Sequence, residues 1–157
     1  MAESVLNNKK ILAVDDEPDI LQVLEEEITL ACENCTVDKA LNYEQATRLL
    51  ESDHYDIVIL DIMGVRGFDL LKTAVRRNFK VAMLTAHALS LEALKKSHDL
   101  GANAYLPKDK LGEIVPFLED VLKHNFKQGW KNLLGKLENY FDDQFKSGWK
   151  KDIGIGY

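Results

Sequence analysis

Cysteine is scarce: Cys32 and Cys35 are the only two in 157 residues, and they form a lone C-x-x-C. A zinc site needs two more ligands, and the four histidines, His54, His87, His98 and His124, are scattered. The pair does not open a helix after a strand, as redox motifs do, so both are read as incidental reduced thiols. Long apolar runs are missing as well. Stretches such as Ile57-Val58-Ile59-Leu60 fall far short of the ~20 residues that span a bilayer. The opening MAESVLNNKK lacks the apolar stretch of a signal peptide, so a cytoplasmic protein without membrane insertion is expected. Positive charge is in deficit. Twenty Lys and Arg face 26 Asp and Glu, and the net charge of -6 argues against DNA binding through phosphate neutralisation.

The deficit is uneven. Residues 1–125 carry 14 basic and 22 acidic residues, net -8, whereas residues 126–157 carry 6 and 4, net +2. The shift sets an expected boundary: one compact domain over 1–125 and an extension over 126–157.

Within the first part, short apolar runs alternate with helical patterns. The runs are Ile11–Val14, a weaker one near Thr36–Ala40, then Ile57–Leu60, Val81–Leu84 and Ala104–Leu106. Their brevity and continuity fit strands buried on both faces of a parallel sheet. The gaps are long enough for crossover helices. Pro18 suits a first helical turn, Asn42 with Gln45 resembles a capping box, and Ser90 can cap a helix that Gly101 ends. Asp109 is the expected cap of a last helix carrying Leu111, Ile114, Leu118 and Val121. The predicted fold is α/β: five βα units in a doubly wound parallel sheet with helices on both faces.

Ligands of such a sheet bind beyond the carboxyl ends of its strands. Asp15 and Asp16 follow the first run, Asp61 the third, Thr85 the fourth and Lys108 the fifth. Three clustered carboxylates repel one another unless a cation is present. Mg2+ suits them, because it takes oxygen ligands and shares them with phosphoryl groups. An aspartate in such a cluster can act as a nucleophile toward phosphorus. The rest of phosphoryl transfer is positioning and charge stabilisation, within reach of a metal, a lysine and a hydroxyl.

The set Asp15-Asp16, Asp61, Thr85-Ala86, Tyr105 and Lys108 resembles the receiver domain of response regulators, over roughly residues 8–124. The resemblance implies a flavodoxin-like strand order 2-1-3-4-5 and a phosphorelay switch that is not itself an enzyme. It implies that Asp61 accepts a phosphoryl group from a sensor histidine kinase or phosphotransfer protein. Asp15, Asp16, Asp61 and the backbone carbonyl of Met63 would hold Mg2+. Lys108, Thr85 and Ala86 would surround the phosphoryl group, and Tyr105 would change exposure in concert. The fourth and fifth helices and fifth strand would report the signal to an effector protein or a second copy.

Two departures stand out. The family usually has Lys-Pro after the fifth strand, whereas Pro107 precedes Lys108 here. The loop Ile62–Phe68 lacks the family's proline and is shorter. These departures keep open a receiver-like binding module not switched by phosphate. A phosphohydrolase with an aspartate nucleophile is a further alternative, but Asp15-Asp16 lacks its D-x-D spacing and there is no cap insertion. Individually the residues have blander readings: Asp15, Asp16 and Asp61 as strand-end turns, Thr85 as a β-former, Tyr105 as half-buried packing. His87 borders the proposed site as a shield or a catalytic group.

In the extension, Phe126-Lys127-Gln128-Gly129-Trp130-Lys131 is echoed by Phe145-Lys146-Ser147-Gly148-Trp149-Lys150. Between them Trp130, Leu133, Leu134, Leu137, Tyr140 and Phe141 fall on one helical stripe. One amphipathic C-terminal helix is expected, packed on its own domain or a dimer mate, docked to a partner, or lying on a membrane surface.

Overall fold

The computed structural model describes residues 4–86, 90–145 and 148–154. Five strands alternate with helices: β1 (Lys10–Val14), α1 (Pro18–Ala31), β2 (Thr36–Ala40), α2 (Tyr43–Ser52), β3 (Ile57–Asp61), α3 (Gly67–Arg76), β4 (Lys80–Thr85), α4 (Leu91–Asp99) and β5 (Ala104–Pro107). A 3-10 turn, Lys108–Glu113, leads into α5 (Ile114–Lys123). Three short helices follow: α6 (Phe126–Lys136), α7 (Glu138–Gln144) and α8 (Trp149–Ile153).

The strands form one parallel sheet in the order β2-β1-β3-β4-β5. Helices cover both faces, with α1 against α5 and α2 against α3. Past the half-buried Lys10 and Lys80 that open β1 and β4, the central strands are buried, which is why their sequences read as apolar runs. β2 is an edge strand, and there the pattern weakens to TVDKA with Thr36 and Lys39 exposed.

Local chemistry sets the helix starts. Pro18 occupies the first turn of α1, where its missing N–H leaves no gap. The Asn42 side chain accepts from Gln45 N–H at 2.9 Å, and the Gln45 side chain accepts from Leu41 N–H at 2.8 Å, so the cap is reciprocal. Ser90 caps α4 by accepting from Ala93 N–H at 3.0 Å. Gly101, at φ +100°, ends it.

Two expectations differ from the structure. Asp109 does not cap the last helix of the sheet domain. Lys110 leaves helical geometry (φ -105°, ψ 18°), and with Gly112, a poor helix former, the segment winds as a 3-10 turn before α5 begins at Ile114. The stripe beyond residue 125 is three helices rather than one. The chain breaks at Leu137 (φ -103°, ψ 8°) and again before Gly148, which is at φ +83°. The aromatics then fold back on one another: Phe141 stacks on Phe145 with ring centres 5.5 Å apart and meets Trp149 edge-on at 5.4 Å. Residues 155–157, and Lys146 and Ser147 of the echoed motif, lie outside the described residues. Among the described residues, no helix is long and apolar enough to cross a membrane.

Candidate functional site

Sheet register brings the chemistry together. Val14 pairs with Leu60, so Asp15 and Asp61 leave β1 and β3 side by side. Asp61 pairs with Leu84, so Thr85 lies one residue beyond it on β4. Thr85 pairs with Pro107, and Lys108 comes next. A cavity of about 220 Å³ opens at this edge. Asp16, Asp61, Met63, Thr85, Ala86 and Lys108 line it, together with Glu17.

Carboxylate oxygens of Asp15, Asp16 and Asp61 all lie within 4.8 Å of one another. Asp15 and Asp61 are buried and Asp16 is exposed. One cation serves the group. Lys108 Nζ is 2.9 Å from Asp15 Oδ2, 3.2 Å from Asp61 Oδ1 and 2.9 Å from Glu17 Oε2. Asp15 Oδ1 accepts from Glu17 N–H at 2.9 Å. Asp15 Oδ2 takes no well-formed hydrogen bond, so its only compensation among the described residues is the ammonium charge.

The electrostatics follow. Burial pushes Asp61 up to about 6, with the neighbouring Asp15 charge adding and Lys108 opposing. Burial also raises Asp15, against the Glu17 N–H and Lys108. Burial alone would lower Lys108, but the close carboxylates of Asp15, Glu17 and Asp61 outweigh it and hold the lysine protonated. Hard oxygen donors, excess negative charge and an undersatisfied buried carboxylate oxygen fit a divalent cation such as Mg2+.

The loop after Asp61 is built tightly around this cluster. Gly67 N–H donates to Ile62 O at 3.1 Å, closing the turn, and Arg66 is left-handed at φ +56°. A Cβ on Gly67 would lie 2.1 Å from Asp61 O, and one on Gly64 (φ +86°) 2.5 Å from Asp16 Oδ2. Both glycines let the backbone approach the aspartates closely. Met63 presents its side chain to solvent at 76% exposure.

Thr85 is buried, its Oγ1 donating to Ala86 O at 3.3 Å. Tyr105 is not in the cavity wall. It is fully buried, and its hydroxyl has no well-formed hydrogen bond among the described residues. Burial raises its pKa, opposed by the nearby Thr85 hydroxyl and Ser90 N–H. His87 lies outside the described residues.

Three participants were not anticipated from the sequence. Glu17 shares Lys108 with the aspartates. Asp109, exposed beside Lys108, accepts a hydrogen bond from the Tyr140 hydroxyl at 3.0 Å. Only an acidic residue right after Asp15-Asp16 hinted at the first. Nothing in the pattern hinted at the other two. Size does not locate the site either. A hollow of about 420 Å³ lies between α7 and α8, but there Lys150 pairs with Glu138 and Trp149 donates to Asp142.

Residues 11–118 match the family model of the response regulator receiver domain. Two curated relatives are 34% identical over 123 residues, 75% of this chain: the two-component response regulator ARR18 of Arabidopsis thaliana and the response regulator protein PilR of Pseudomonas aeruginosa. The chain spans only 19% and 27% of their lengths. Among solved structures, a CheY-like response regulator receiver domain protein from Methanospirillum hungatei aligns over 89% of this chain and 98% of its own. It has a TM-score of 0.57 and 27% identity. The signal receiver domain of an HD domain-containing protein from Pseudomonas fluorescens covers 85% and 96%, with a TM-score of 0.65 and 24% identity, a likeness of fold. With the fold, the sheet-edge carboxylates and the matched residues in agreement, the chain belongs to the response regulator receiver family.

Proposed function

We propose that this chain is a phosphorylation-dependent switch of a two-component phosphorelay, with Asp61 as the acceptor. The observation that carries the reading is the convergence of Asp15, Asp16 and Asp61 with Lys108 and Thr85 on one cavity. A carboxylate oxygen of Asp61 attacks the phosphorus of a phosphohistidine on a sensor kinase or phosphotransfer protein. The P–N bond breaks, an acyl phosphate forms, and the imidazole leaves with the electron pair. Lys108 turns its ammonium toward the phosphoryl oxygens and Thr85 donates its hydroxyl to one of them. Asp15, Asp16, Asp61 and the backbone carbonyl of Met63 would hold Mg2+, which supplies charge neutralisation for the transferred group. The switch occupies residues 1–125, residues 126–157 are a helical extension, and output passes through protein–protein contacts in the cytoplasm.

The test is incubation with Mg2+ and a small acyl phosphate, read by mass spectrometry. Asp61 labels, and an Asp61→Asn chain does not. A folded wild-type protein that takes up no phosphoryl group sinks the proposal.

A further inference from the structure

Helices α6–α8 pack on the elements flanking Lys108 and Tyr105. Trp130 is fully buried and its indole donates to Ala102 O, just before β5, at 2.8 Å. The rings of Phe126 and Trp130 each approach His98 of α4 at 5.1 Å, and α8 also packs against α4. Lys136 pairs with Asp120 of α5 and lies over the Phe117 ring. Tyr140 of α7 donates to Asp109, the residue after Lys108, and its ring lies under the Lys110 ammonium at 5.6 Å.

We propose that α6–α8 is a latch that reads the state of Asp61: seated when the carboxylate is unmodified, released when it carries a phosphoryl group. The inference rests on the switch function proposed above. Its route is the 3-10 turn. Lys108 is already shared among Asp15, Glu17 and Asp61. A phosphoryl group on Asp61 draws the ammonium out of this arrangement. Asp109, the next residue of the same turn, moves with it and loses Tyr140. The contacts of the latch belong to the unmodified arrangement, so movement of Asp109 weakens them. Release bares Trp130 and its stripe together with the face of α4, β5 and α5. The bistable element is the seat of α7 on the 3-10 turn.

Hydrogen exchange on the full chain tests this, with Mg2+ present, with and without a small acyl phosphate, and with Asp61 occupancy read by intact mass. Amides of residues 126–144 are expected to exchange on the order of tenfold faster in the labelled protein, a typical coupling between linked sites. The Asp61→Asn chain should show no acyl-phosphate-dependent change. Linkage is reciprocal, so Tyr140→Phe, which removes the hydrogen bond without removing the ring, should loosen the same amides in unlabelled protein. It should also raise the fraction phosphorylated at steady state. Labelled Asp61 with unchanged or slower exchange over 126–144 overturns the latch and leaves the switch function standing. A Tyr140→Phe chain matching wild type in both readings overturns it as well. Absence of label at Asp61 removes the switch function itself, and the latch with it.

Discussion

Strands β1, β3 and β4 bury nearly every side chain they carry, from both faces, and tie each residue to neighbours on two sides. Helices α6–α8 are built differently. They bury Trp130, Leu133, Leu134, Leu137, Phe141 and Trp149 on one side and leave most of their lysines and acids in water. The sheet is held by backbone hydrogen bonds and two-sided packing, the helices by one-sided contacts of a few aromatic rings. Regions with little buried apolar contact open at lower free energy than a core sheet. The charged site sits at the edge of the more deeply packed of the two regions.

The contrast is broken or upheld most directly at Trp130. Replacing it with Ala removes a fully buried indole and its hydrogen bond to Ala102 O, a loss of about 3–5 kcal/mol. If the two regions are unequal, urea unfolding of the Trp130→Ala chain splits. Trp149 fluorescence moves at low denaturant and the sheet's far-ultraviolet signal later. A single coincident transition at a lower midpoint would mean that both regions form one cooperative unit.

The same contrast separates what was legible in the sequence from what was not. Four strands were readable because burial on both faces leaves continuous apolar runs; the edge strand β2, partly exposed, left only a weak one. That Asp15, Asp16, Asp61, Thr85 and Lys108 converge was readable because a parallel sheet delivers whatever follows each strand to one edge. The Asn42 and Ser90 caps were readable because their partners lie three residues away. Glu17 and Lys108 are 91 positions apart, and Tyr140 and Asp109 are 31 apart. Such side-chain contacts leave no periodic trace. The same holds for the burial of Tyr105, which depends on the surrounding fold. The stripe beyond residue 125 did show its helical period. Its breaks at Leu137 and at Phe145, where the rings of Phe141, Phe145 and Trp149 meet, leave no mark in that period.

A change of pH acts on the site alone. The Asp61 carboxyl holds its proton to about pH 6 in the native state, against an ordinary 3.8. Between those values the folded chain binds more protons than the unfolded one. Stability in metal-free buffer therefore falls as pH rises from about 4 to about 6, and the loss is complete above that. The shift corresponds to at most ~3 kcal/mol. Asp61→Asn removes this loss, so it should be the more stable chain at pH 7 without metal, and the two should converge near pH 4. Denaturation midpoints that run parallel over this range would mean that burial and Asp15 do not strain Asp61. Mg2+ should raise the wild-type midpoint more than that of the Asn chain.

The smallest predicted effect asks where the two regions meet. Asn42 and Ser90 make like N-caps, at 2.9 and 3.0 Å, on α2 and α4. Replacing either with Ala should cost about 1 kcal/mol, since each leaves one helix-end N–H without its acceptor. The helices differ in their neighbours. α4 receives the rings of Phe126 and Trp130 at His98 and packs against α8, whereas α2 packs on α3. Combined with Trp130→Ala, the Asn42→Ala loss should add within ~0.5 kcal/mol, as distant sites do. The Ser90→Ala loss should not, because both changes then act on α4, one through its cap and one through its brace. A coupling of at least ~0.5 kcal/mol for Ser90 and none for Asn42 would locate the junction on α4. Equal additivity for both caps would mean that α4 holds its place without the C-terminal helices.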